Sequence, residues 1–372
     1  MVRGAIALDT AMKPDWLAKY RENNQQVFEA KPVKKSKYSS ITQLESLLTK
    51  PVKGAAIPRI DMQGVEVMGL NDAVEKMPAQ IAQILSKEEV AADQFEAYVN
   101  SNFNSGHVII VGRKAHKKKI AMETKLEEGA LQKSIIIIEE GVECCIVNKM
   151  HGSGTVLHSQ TIYLKEGANA TICTIHSESG SLIASQQCIV EGRGKLTNNN
   201  CWFGPKTARA RVANILNGDG ASAREYSLLY SGETQHFDIN YSSVHRQRAT
   251  ESHCIFKSVL DGESRNVFDA MIRIEEGATG ANALLECHSM ILGEKASSNQ
   301  IPSLEIKTDD VKATHSATVA HIDDDELFYL CSRGIKKESA REMVAKGFLQ
   351  SVSYMLPQAV RGEIGGEIEK AL

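Results

Sequence analysis

Apolar and polar residues follow three different periods along this chain, and the changes of period divide it. Residues 1–103 are mainly helical in spacing: Pro14–Ala30 predicts one helix, and Ser86 with Glu89 predicts a capping box opening another through Phe103. Lys31–Leu70 has no helical period and reads as strand and loop. Residues 104–320 switch to short β-branched runs such as Ile135–Ile138, separated by a recurring turn of an acidic residue, glycine and usually alanine. It occurs at Glu128-Gly129-Ala130, Glu140-Gly141, Glu166-Gly167-Ala168, Glu191-Gly192, Asp219-Gly220-Ala221 and Glu276-Gly277-Ala278. Residues 321–372 are helical again. Asp323 and Glu326 cap a helix through Leu327 to Ser332, Gly334 ends it, and a second helix with Ala340, Met343, Val344, Gly347, Phe348 and Val352 runs to Pro357.

From Gly141 to Gly167 is 26 residues, to Gly192 another 25, and to Gly220 another 28. A loose period of that length with strand-sized runs predicts stacked coils, because one coil cannot bury its inward face alone. The predicted fold is mainly β, a right-handed parallel β-helix enclosing an apolar column, flanked by helical regions that cover its ends. Regular hairpins in an antiparallel β-sandwich are the alternative that the same turns allow. Within Ser303–Val319, Val311, Ala313, His315, Ala317 and Val319 share one face, with Lys312, Thr314, Ser316 and Thr318 on the other. One histidine thus sits on an apolar face.

A chain of 372 residues with 42% apolar content can build a substantial core. Its formal net charge of −3 argues against a general nucleic-acid binder, which needs a basic face. The basic run Arg113–Lys119 reads as a solvated edge or loop between two apolar strands. No apolar stretch approaches the roughly 20 residues of a membrane span. Lys13, Asp15 and Lys19 interrupt any secretory core, so the reading is cytoplasmic. Eight cysteines occur without a C-x-x-C pair, consistent with reduced thiols rather than a disulfide framework or a zinc site. His151, His158 and His176 form no ligand pattern. No phosphate-binding G-x-x-x-x-G-K-[ST] is present; Gly192-Arg193-Gly194-Lys195 lacks its spacing and hydroxyl residue, so the chain itself is read as non-enzymatic.

Pro302–Phe348 carries the layout P-x-L-E-I-x-x-D-D-V-K-A-x-H-x-A-T, an acidic cap, L-F-Y-L-x-S-R-G-I and A-x-x-M-x-x-x-G-F. That layout resembles the C-terminal signature of the SufB/SufD family, the non-ATPase subunits of the SUF iron–sulfur cluster assembly machine. The likeness extends over residues 104–152 and 236–274, including His236, Asp238, His245, Lys257 and Phe268, and loosely over Lys31–Leu48, where Tyr38 remains of the SufD-type pairing. It implies a scaffold subunit, joined to a second SufB/SufD-type subunit or a second copy of itself, that docks a SufC-type ABC ATPase on its tail through Leu327, Phe328, Tyr329, Arg333, Ile335 and Phe348. It also implies a transient iron–sulfur cluster rather than a tightly held cofactor.

The resemblance leaves the branch open. Cys287 in Glu286–Gly293 stands where SufB has its favoured cluster cysteine, and His315 matches the family histidine. Ser316 replaces the SufB glutamate, and Ala313 replaces the SufD cysteine. Cys287 and His315 are therefore the candidate cluster ligands, thiolate and imidazole being suited to iron–sulfur ligation. By parity Cys287 also groups with Ala283, Leu285, Ser289 and Ile291, the pattern of an inward core thiol. A β-helix that binds or degrades polysaccharide is the second reading; exposed aromatic platforms or clustered carboxylates would mark it, and aromatics make up 5% of the chain.

Overall fold

The computed structural model describes residues 14–30, 57–103, 105–129 and 131–372. The strand-and-loop expectation for 31–56, Tyr38 included, lies outside them. In chain order the elements are α1 (Asp15–Ala30), β1 (Val65–Gly69), α2 (Leu70–Lys76), α3 (Pro78–Ser86), α4 (Gln94–Asn102), β2 (Ser105–Val111), β3 (Lys118–Leu126), β4 (Leu131–Ile138), β5 (Glu143–Leu164), β6 (Asn169–His176), β7 (Ser179–Val190) and β8 (Lys195–Trp202). They continue with β9 (Thr207–Leu216), β10 (Ser222–Ser231), β11 (His236–His245), β12 (Glu251–Leu260), β13 (Arg265–Ile274), β14 (Ala281–Ile291), β15 (Ser297–Ile306), β16 (Val311–His321), α5 (Asp324–Ser332), α6 (Lys337–Ser353) and α7 (Gln358–Ala371).

The strands wind into a parallel β-solenoid of about eight turns with two facing sheets. The first sheet runs β2, β4, β5, β7, β9, β11, β13, β15, with β1 antiparallel on β2. The second runs β3, β5, β6, β8, β10, β12, β14, β16. The parallel registers rule out the sandwich of hairpins. β5 serves both sheets and bends at Gly152, where an added Cβ would lie 2.4 Å from the Leu126 carbonyl oxygen. Coils widen along the axis: Glu143 pairs with Asn169, 26 residues on, whereas Glu251 pairs with Asn282, 31 residues on.

The recurring turn has one left-handed residue per coil. Gly141, Gly167, Arg193, Gly220, Ala249 and Gly280 have φ between 52° and 72°, and the amide of each donates to a carbonyl in the next coil. The Glu191-Gly192 and Glu276-Gly277 signals therefore mark the right turns but not the left-handed position, which Arg193 and Gly280 take.

The expected apolar column is interrupted. Its first coils hold Ile109, Ile120, Ile136, Ile146 and Ile162, and its last hold Phe256, Phe268 and Leu285. Between them runs a buried polar seam. His158 pairs with Ser134 (2.9 Å), Gln160 accepts from Gln186 (3.0 Å), and Gln186 accepts from Asn198 (2.7 Å) and Asn200 (3.1 Å). The seam ends on the Glu225 carboxylate, which accepts from Asn198, Asn200, Asn214 and Ser227. Four donors satisfy a carboxylate that makes no ion pair among the described residues, while burial raises its pKa.

The helical regions flank the solenoid, but the C-terminal one does not close its end. α6 and α7 lay Leu349, Val352, Val360, Ile364 and Ile368 along the outer side of the second sheet, over Cys173, Ile175, Cys201 and Leu228. The N-terminal helices place Ile81, Phe95 and Val99 over Ile183, Ile189 and Ile215 of the first sheet. Each apolar helix stripe packs on outward apolar residues of a sheet. The Ser86–Glu89 capping box is not formed. Ser86 ends α3, and α4 is capped by Asp93, whose carboxylate accepts from Glu96 N at 3.1 Å, while Ala92 N donates to Glu96. Glu89 is drawn instead to Arg246 and Arg273 on the solenoid.

Candidate functional site

Among the described residues the last coil, β15 and β16, has no successor, and its inward side is uncovered by any further strand. Every residue of β16 from Thr314 to His321 is exposed, and Val319 is 44% exposed. β16 alternates as its sequence pattern requires. Ala313 lies opposite Ala283, His315 opposite Leu285, Ala317 opposite Cys287 and Val319 opposite Ser289. His315 therefore shares the inward side with Cys287 from the neighbouring strand, displaced two residues in register. His315 is open to solvent; Cys287 is fully buried one coil beneath, roofed by the small side chain of Ala317.

Burial is the main cause that pushes the Cys287 thiol up to about 12, with Glu286 adding to it. It is a neutral thiol at physiological pH while the coil is closed. Beside it Phe256, its opposite residue on β12, stacks on Phe268 at 3.9 Å. No three His, Cys, Asp or Glu side chains converge as a metal site among the described residues.

The two free margins of the second sheet differ in charge. β3 presents Lys119 and Lys125 outward, with Lys118 exposed at its start, the usual protection of an edge strand. On β16, Ala313 to Ala320 contain one ionisable side chain, His315. β16 thus offers unpaired backbone groups without charged guards.

On the tail, Asp323 caps α5 by accepting from Asp325 N at 2.8 Å, and Gly334 follows it with φ of 88°. Phe328 is 74% and Tyr329 58% exposed, and the Arg333 guanidinium lies 5.1 Å from the Tyr329 ring. Leu327 is buried, Ile335 half-buried, and Phe348 packs inward under Lys257, whose ammonium is 4.5 Å from its ring. The six tail residues thus divide into an exposed group and a packed group. A shallow groove of about 440 Å³ lined by Asp325, Glu326, Tyr329, Leu330 and Val344 adjoins the exposed group.

Sequence reasoning passed over the seam. His158 and His176 both line one small internal void, and His176 stacks on Trp202 at 3.8 Å while pairing with Glu178 at 3.2 Å. The signal was the inward parity of Gln160, Gln186, Asn198 and Asn200, visible only once the register is known. Burial lowers the pKa of His158 to about 3.

Residues 120–348 match the sequence model described as SUF system FeS cluster assembly, SufBD core domain, which covers well over half of the chain. The chain belongs to the SufB/SufD family. Among similar proteins, a chloroplastic iron–sulfur cluster assembly SufBD family protein of Arabidopsis thaliana is 24% identical over 84% of this chain and 59% of its own length. A SufBD family protein of Staphylococcus saprophyticus is 26% identical over 80% of this chain and 67% of its own. The iron–sulfur cluster assembly protein SufB of Bacillus subtilis is 26% identical over 71% and 59%. The chain spans about three fifths to two thirds of these relatives. No helix among the described residues is long and apolar enough to cross a membrane.

Proposed function

We propose that this chain is a non-catalytic scaffold subunit of an iron–sulfur cluster assembly complex, which presents a transient cluster site at the open end of its solenoid. The observation that carries this reading is the uncovered last coil, with His315 on its inward side and the Cys287 thiol one strand away. Thiolate and imidazole are suited to a cluster that must also leave. A second SufB/SufD-type subunit, or a second copy of the chain, covers the uncharged β16 edge by strand pairing.

Nucleotide chemistry comes from a partner. Phe328, Tyr329 and Arg333 are the exposed anchors proposed to receive an ABC-type ATPase, because aromatic and arginine side chains carry much of the energy at interfaces. Leu327 and Phe348 hold α5 and α6 in place beneath them. The reading is tested by mixing the purified chain with the ATPase subunit from the same genome and measuring complex formation. Binding that Phe328→Ala and Arg333→Ala weaken supports it; no binding, or binding indifferent to both variants, refutes the docking role.

A further inference from the structure

We propose that the basic turn Arg113–Lys119, at the opposite end of the solenoid from β16, is a docking surface for an acidic segment of a protein partner. Its cations are not neutralised within the chain. Arg113, Lys114, Lys117 and Lys118 are exposed and make no ion pair among the described residues. They stand on the turn between β2 and β3 and at the start of β3, which pairs only with β5 among the described residues, so its other edge is unpaired as well. Lys119 and Lys125 face outward along that strand. This surface is independent of the scaffold reading above.

Later turns on this side of the solenoid show which groups are missing. Lys165 meets Glu139 at 2.8 Å, Arg193 meets Glu166 at 2.6 Å, Lys307 meets Glu275 at 2.7 Å, and Arg248 lies 3.9 Å from Asp219. In each pair the carboxylate belongs to the turn one coil earlier. Arg113–Lys119 is the first such turn among the described residues, so no earlier coil supplies acids to it. Gly64 reaches it by accepting from Gly112 N at 2.8 Å, but Asp61 and Glu66 on that segment form no ion pair with the run. The chain's own tail shows that a carboxylate seats here: Glu363 on α7 meets Lys119 at 3.2 Å and Lys149 at 2.9 Å. That helix takes the outermost cation of the run and leaves the other four exposed.

Lys117 holds a φ of 59°, in the left-handed region where the next two coils place Gly141 and Gly167. The lysine thus carries backbone strain that glycine would avoid, and its charge is kept against the local preference. The chemistry of the surface narrows the occupant. No Phe, Tyr or Trp occurs between 105 and 129 to stack on a base, and no large apolar side chain there is exposed to enter a bilayer. A short, dense row of ammonium and guanidinium groups on a chain of net charge −3 suits the Asp and Glu side chains of a protein and steers their approach.

The test is fluorescence anisotropy of a labelled polyglutamate peptide titrated with the full chain at low salt, with duplex DNA and phosphatidylserine vesicles as the other arms. The triple variant Lys114→Glu, Lys117→Glu, Lys118→Glu is expected to lower peptide affinity by about tenfold, and added salt should weaken the parent toward the variant. A second triple variant, Lys195→Glu, Lys206→Glu, Arg224→Glu, changes the net charge equally at other exposed positions and should keep most of the binding. Lys117→Gly removes one cation and relieves the left-handed lysine. It should weaken binding by about threefold while melting no lower than the parent, which keeps the test decisive if the first triple variant fails to fold. Parent-like affinity in the basic-turn variants, equal loss in both triple variants, no peptide binding by the parent, or tighter binding of DNA or vesicles than of the peptide overturns the inference.

Discussion

Cys287 and His315 face the same interior from adjacent strands, separated by two residues of register, yet one is fully buried and the other open to solvent. The difference is positional: among the described residues β16 is the last strand of its sheet, and no further strand lies over His315. The Cys287 thiol becomes available only when the last coil shifts. At pH 8 its alkylation should therefore be slow, and should accelerate in mild denaturant before global unfolding, since terminal coils open first. Mass spectrometry of pulse-labelled protein measures this; fast labelling of Cys287 in native buffer would contradict the buried site.

Assembly at the open end should depend on the lack of charge along β16. Thr318→Lys with Ser316→Lys places two lysines on the outer side of that edge without touching the interior. The expected result is loss of the association measured by sedimentation or light scattering, with an unchanged melting temperature. Wild-type association of the double variant would remove β16 from the interface.

The two groups of tail residues should behave differently on truncation. Leu327→Ala removes a buried side chain and should destabilise the helical tail by about 2–5 kcal/mol. Phe328→Ala, at an exposed position, should change stability by less than about 0.5 kcal/mol while weakening ATPase binding. Chemical denaturation and a binding titration on the same samples separate the two effects.

A row of ion pairs ties the segment from Lys87 to Glu96 across successive coils. Lys87 meets Glu191 at 2.5 Å, Glu88 meets the buried Lys133 at 2.7 Å, Asp93 meets Arg209 at 2.9 Å, and Glu96 meets Arg211. The pKa values of Glu89 and Glu96 are held below the usual glutamate range: burial opposes this, but their arginine partners and hydrogen bonds outweigh it. A carboxylate whose folded pKa is depressed contributes stability that is fully present above its unfolded pKa, about 4.3, and is lost as pH falls through the folded value. Stability should thus decline with acidification below about pH 4.3, and Glu96→Gln should flatten that part of the profile. An identical acid limb in the variant would show that the pair does not contribute. Losing one partner leaves Arg211 without its carboxylate, so the variant should also be less stable at neutral pH.

Much of the fold was legible because the left-handed turn residue recurs once per coil and leaves glycine at Gly141, Gly167, Gly220 and Gly280. The alternation through β16 was legible for the same local reason, and it placed His315 on the inward side. What the sequence hid is long-range. Whether Gln186, Asn198 and Glu225 meet inside depends on the registers of β7, β8 and β10, which no local period encodes. Likewise Glu89 resembled a helix cap because its arginine partners lie 157 and 184 residues away. The tail helices fitted an end-capping role by chain position, but their apolar stripe packs on Cys173, Ile175 and Leu228 of the outer sheet side, a match set by long-range register.

The most direct test of the account is anaerobic reconstitution with iron and sulfide, comparing the purified chain with Cys287→Ala and His315→Ala by absorption and bound iron. The scaffold reading expects cluster absorption in the parent and its loss in Cys287→Ala, with weaker retention in His315→Ala. Equal cluster binding by parent and Cys287→Ala, or none by the parent even with its partner subunit present, would contradict it.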